Sequence, residues 1–110
     1  MPAPFGSDLY GDLIIEEDEG EVTVNLDYSH IHLYWPFQLG DADDPIWRDP
    51  LALIDAVLAE KVVASSGWTN GQFRVGSLHD VARTPSLFVR NLEHIRVRSW
   101  LGTYNQERFL

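Results

Sequence analysis

From Glu21 to Asp27 the chain alternates strictly, with Val22, Val24 and Leu26 on one face and Thr23, Asn25 and Asp27 on the other. A period of two predicts a half-buried strand. The short apolar stretch from Asp12 to Glu16 predicts a strand before it. Between them the run Glu16-Glu17-Asp18-Glu19-Gly20 supplies a hairpin turn, because Gly20 accepts positive φ without steric cost. A third alternating segment, Tyr28 to Trp35, places His30, His32 and Tyr34 opposite Ile31, Leu33 and Trp35. Pro36 ends it, since proline cannot donate to a ladder, and the loop PFQLGDADDPIW follows.

At Asp49 the period changes. Asp49 suits an N-cap and Pro50 the first helical position, and Leu51, Ile54, Val57, Leu58 and Lys61 recur at helical spacing. A helix is predicted from about Pro50 to Glu60, with Asp55 and Glu60 facing water and the apolar side on a sheet. The β-prone runs KVVASSGW and QFRVGSLH flank Thr69-Asn70-Gly71, and Asn-Gly in that setting predicts a type I′ hairpin. Asp80 to Ser86 reads as loop, Leu87 to Val89 as a brief extended piece and Ile95 to Leu101 as a last strand. No element is assigned to the polar tail from Gly102. Hairpin links join antiparallel neighbours, so the expected class is α+β: one antiparallel sheet of five to six strands with a single helix packed on one face.

Composition narrows the functional classes. At 110 residues, 45% of them hydrophobic and 12% aromatic, the chain has enough apolar surface for one core, and residues 1–110 are expected to form a single domain. The absence of cysteine excludes disulfides, thiolate metal sites and a thiol nucleophile. The acidic side chains in the first twenty residues speak against a cleavable secretory leader, and no apolar run approaches membrane-spanning length, so a cytoplasmic location is expected. The formal charge of −9 is unevenly spread: residues 1–60 carry 14 Asp and Glu against the single Arg48, whereas residues 61–110 carry 3 acidic and 7 basic side chains. A chain so charged repels nucleic acid and favours a cationic partner.

Catalytic signatures are missing. His30 and His32 share a strand face and could offer two imidazoles to one metal, but no third ligand follows at metal-site spacing; two half-exposed histidines beside Tyr34 are the simpler reading. Ser65 and Ser66 precede Gly67 without a nucleophile elbow, and no glycine-rich phosphate loop occurs. The chain is therefore not expected to be an enzyme or to carry a cofactor. Arg96 and Arg98 fall on one face of the last strand, where they could take an anion or pair with the acidic hairpin, the second being the simpler assumption.

Two acidic patches remain: Glu16, Glu17, Asp18, Glu19 and Glu21 on the first hairpin, and Asp41, Asp43 and Asp44 before the helix. The second lacks the spacing and closing Glu of a calcium loop. Crowded carboxylates repel one another, and a cationic partner relieves that repulsion. Trp35, Phe37, Ile46 and Trp47 stand beside the second patch, a mixture common at interface hot spots, although Trp35 and Trp47 could equally complete the core. Glu17, Asp18, Glu19, Asp41, Asp43, Asp44 and Trp47 are the candidate partner-binding residues.

In size, acidity, lack of cysteine and expected fold class the whole chain resembles the small immunity proteins that bacteria encode beside polymorphic or contact-dependent toxins. The resemblance rests on no residue motif and transfers no site. It implies a binding protein whose acidic loops cover the basic cleft of a toxin domain or imitate a nucleic-acid backbone. The alternatives are a metal-binding or enzymatic domain built on His30 and His32, and a homodimer paired through its aromatic surface.

Overall fold

The computed structural model describes residues 1–34, 49–83, 87 and 89–110. Within them the chain forms β1 (Ile14–Asp18), β2 (Glu21–Leu26), β3 (Ser29–Tyr34), α1 (Pro50–Leu58), β4 (Val62–Thr69), β5 (Gln72–Asp80), β6 (His94–Arg98) and β7 (Gln106–Phe109). The α+β class is as expected, but the single sheet is not. The strands divide into a three-stranded antiparallel sheet, β1-β2-β3, and a four-stranded one, β5-β4-β6-β7. β3 meets β5 by close packing in place of a hydrogen-bonded ladder: a Cβ added to Gly76 of β5 would lie 2.8 Å from the carbonyl oxygen of Tyr28.

The turns follow their residues. Asp18 faces Glu21 across a two-residue loop in which Glu19 (φ 49°) and Gly20 (φ 83°) are both left-handed, so Glu16 to Asp18 belong to the strand and not to the turn. Thr69 faces Gln72 across Asn70 (φ 52°) and Gly71 (φ 72°), the expected type I′ geometry. Leu87 and Val89 lie in no strand. The tail does form one: β7 pairs with β6, setting Arg96 opposite Glu107. All four of its residues are exposed, so no burial demanded the apolar alternation by which a strand is read.

α1 begins as expected, with the Asp49 carboxylate accepting from the Leu51 amide at 3.0 Å and Pro50 at the first position. It ends at Leu58, two residues short of the expected limit, as Glu60 turns left-handed at φ 58°. Its buried face is Pro50, Leu53, Ala56 and Val57, while Leu51 is 72% exposed. The expected stripe was thus rotated, because the leucines at 51 and 53 give two overlapping helical series and only tertiary contact chooses between them. Leu53, Ala56 and Val57 join Leu13, Val24 and Leu26 of the first sheet and its lead-in, and Val62, Ala64, Leu78 and Trp100 from the second sheet and its flank, in one buried core.

Gly76 permits a close approach of the two sheets. Gly76→Ala would push its methyl group against the Tyr28 carbonyl and the Ser29 hydroxyl, both 2.8 Å from the added carbon. Chemical denaturation should show a loss of about 1–3 kcal/mol, the usual cost of overpacking.

Candidate functional site

The acidic hairpin is presented without cover. Every residue of β1 and its turn residue Glu19 is exposed, which brings the candidates Glu17, Asp18 and Glu19 together at one end of the three-stranded sheet. Alternation puts Glu16 and Asp18 on the outer face with Thr23 and Glu21, while Glu17 shares the inner side with Val22. Glu21 has a partner in the exposed His32 of β3, which also meets the Thr23 hydroxyl at 3.1 Å. No ion pair of Glu16, Glu17, Asp18 or Glu19 with a lysine or arginine occurs among the described residues.

The arginines expected to reach that hairpin are engaged elsewhere. Arg96 of β6 grips Asp27, in the turn between β2 and β3, through two parallel bonds of 3.0 and 3.1 Å. The Asp27 side chain is 1% exposed. Arg98 donates to the Asp8 carboxylate at 2.8 and 3.1 Å and lies 3.4 Å from Glu107. Burial opposes the Arg96 charge, but the hydrogen bonds and charge of Asp27, with Asp8 adding to them, more than offset it and raise its pKa. Asp27 also accepts from the Tyr10 amide at 2.8 Å, and Arg96 sits 5.7 Å from the ring centre of Tyr28. Tyr28 stacks on Tyr10 at 4.3 Å and meets Trp68 edge-on at 4.7 Å. Internal pairing is therefore correct and the expected partner is not: the clamp joins the sheets through Asp8 and Asp27.

His30 and His32 lie ring against ring, 5.0 Å apart at 84°. Among the described residues no group of three His, Asp or Glu side chains is placed to hold a metal ion. Asp41, Asp43, Asp44 and Trp47 lie outside the described residues, as do Trp35, Phe37 and Ile46. A pairing that sequence spacing did not reveal joins Ser65 on β4 to His79 on β5, with 2.6 Å between Oγ and Nε2. The two are two residues off register, Ser65 lying opposite Ser77 and His79 opposite Val63. His79 Nδ1 lies 2.9 Å from the Asp80 carbonyl, which fixes it as the donor and leaves Nε2 to accept from Ser65. It has the form of a nucleophile and its base, but Ser65 is fully buried and, among the described residues, no carboxylate orients the imidazole. The pair satisfies two polar groups within the sheet.

No protein-family model, curated protein or solved structure matches this chain. The site must be read from its own geometry.

One functional-looking residue escaped the sequence reading altogether. Glu60, expected in water, is 8% exposed. Its Oε1 accepts from the Ser99 hydroxyl at 2.8 Å, the Leu101 amide at 2.7 Å and the Thr103 amide at 3.2 Å. Burial pushes its pKa up, but hydrogen bonds from Thr103, Ser99 and Leu101 prevail and hold it below the ordinary value. The carboxylate is a structural anion that organises the loop between β6 and β7. Its only advance sign was a loop, SWLGTYN, rich in turn residues whose amides require acceptors.

Two predictions follow from these buried charges. Asp27→Ala strands Arg96 between the sheets, and urea titration should report a loss of about 3–5 kcal/mol, as for other broken buried pairs. Because the Glu60 pKa is depressed, its contribution is complete above the ordinary value of 4.5 and disappears as pH falls through the lower folded-state value. Thermal melts should therefore show that Glu60→Gln destabilises near neutral pH, while the gap from the parent narrows in acid.

Proposed function

We propose that this chain is an acidic binding module, an immunity-type inhibitor that binds a basic toxin domain and blocks it. The observation that carries this reading is the division of charge. The best-placed cations, Arg96 and Arg98, are consumed by Asp8, Asp27 and Glu107, so the hairpin carboxylates remain exposed without a described lysine or arginine partner. Four adjacent acids without a described lysine or arginine partner create a negative field that an encounter with a basic surface relieves, and such a field accelerates association more than it tightens the final complex. Asp41, Asp43, Asp44 and Trp47, which precede α1 in the sequence, are proposed to belong to the same binding surface.

The reading includes no catalytic step, no cofactor and no direct contact with nucleic acid. It also differs from self-association: the acidic hairpin repels its own copy, so light scattering of the isolated chain should report a monomer at low salt.

The product of the neighbouring reading frame is the natural first partner to assay, by co-purification and by protection of growth when both are expressed. Association should weaken about tenfold or more between about 50 and 500 mM ionic strength. A similar loss is expected for Glu17→Lys combined with Asp18→Lys and Glu19→Lys, and for reversal at Asp41, Asp43 and Asp44. Binding indifferent to both salt and charge reversal would overturn the proposal.

A further inference from the structure

β1 is an edge strand, and the phase of its hydrogen bonds is fixed by the hairpin. A two-residue loop is closed by a hydrogen-bonded pair, here Asp18 and Glu21, so Glu16 and Ile14 also turn their main-chain groups inward to β2. Ile15 and Glu17 then turn their N–H and C=O groups outward. The same phase directs Leu13 outward, and there the chain pairs with itself: the Leu13 amide donates to the Met1 carbonyl at 2.9 Å, and the Met1 nitrogen donates to the Leu13 carbonyl at 2.8 Å. Beyond Leu13 this added pairing stops. Among the described residues nothing main-chain bonds to the outward groups of Ile15 or Glu17.

The side chains along the open edge alternate in character. Glu16 and Asp18 project from the outer face. On the inner side Ile15 is 42% exposed, and an open depression of about 290 Å³ is lined by Glu17, Val22, Pro50 and Leu51. A main-chain strip left unpaired among the described residues, one acidic face, and beside it a hollow walled by Val22, Pro50 and Leu51 with Glu17 at its side specify an occupant. We propose that the outer edge of β1 receives an extended segment of a partner protein, with basic and aliphatic residues alternating, which joins the sheet as a fourth strand beside β3-β2-β1. Its cations face Glu16 and Asp18, and its aliphatic side chains lie along Ile15 and enter the hollow at Leu51. The main chain supplies affinity and the alternation supplies selectivity, as in other strand additions. A second copy of this chain does not fit, because antiparallel pairing centred on Glu16 sets that carboxylate against its own copy.

This proposal rests on the acidic-module reading and adds the mode of contact, so its test separates the two. The probe is a fluorescent peptide of about ten alternating lysines and valines, enough to span the edge at about 3.3 Å per residue. Fluorescence anisotropy at low ionic strength should show binding, and hydrogen exchange should slow at the amides of Ile15 and Glu17. Methylating alternate valine nitrogens of the peptide should weaken binding about tenfold or more, since it removes the ladder donors without altering the charge. Ile15→Pro should do the same from the protein side while sparing the β1–β2 ladder, because the amide it deletes points outward. If the methylated peptide binds equally well and neither amide is protected, strand addition is overturned while a salt-sensitive complex preserves the acidic module. If neither this peptide nor polylysine binds at low salt, both readings fall.

Discussion

The fold depends on the doubly hydrogen-bonded pair between Asp27 and Arg96. Two sheets that share no ladder have only side chains to fix their separation and angle, and apolar packing is non-directional. The fork-to-fork geometry of a guanidinium on a carboxylate is directional, and burial strengthens that constraint. It is set where Tyr28 crosses from the first sheet to Trp68 of the second and where Gly76 lets the backbones touch. Aromatic stacking, close approach and ion pair thus act at one place, and each positions the others.

This arrangement also explains the surface. A chain with many more acids than bases has few cations to distribute, and it spends Arg96 and Arg98 on holding its sheets together. The negative face of the first hairpin is then a remainder of that internal use. The proposed docking edge belongs to the same hairpin, so the strand edge open to a further strand is also the one whose acids have no described lysine or arginine partner.

How much of this was legible in the sequence depended on the range of each signal. Local devices read correctly: the Asp49-Pro50 helix start, the Asn70-Gly71 turn, and the strict alternation from Val22 to Leu26 each depend on neighbours within a few residues. The division into two sheets did not read, because hairpin connectivity says which strands adjoin in sequence and nothing about whether β3 and β5 share a ladder. β7 was missed because an exposed edge strand has no buried face to mark it. Glu60 was assigned to solvent by helical phase, while its fate was decided by three donors some forty residues away. For the candidate site, the acids of the hairpin were found by composition alone, but their freedom from Arg96 and Arg98 depended on where Asp8 and Asp27 came to rest.

The span of the clamp has a consequence for the order of assembly. The first sheet is a meander closed by two-residue turns, whereas Arg96 meets Asp27 across 69 positions and Arg98 meets Asp8 across 90. Short loops close early at small entropic cost and long ones close late. Until the sheets dock, Arg96 and Arg98 have no fixed partner, so the ion pairs that set the angle between the sheets close together with the longest loops of the chain.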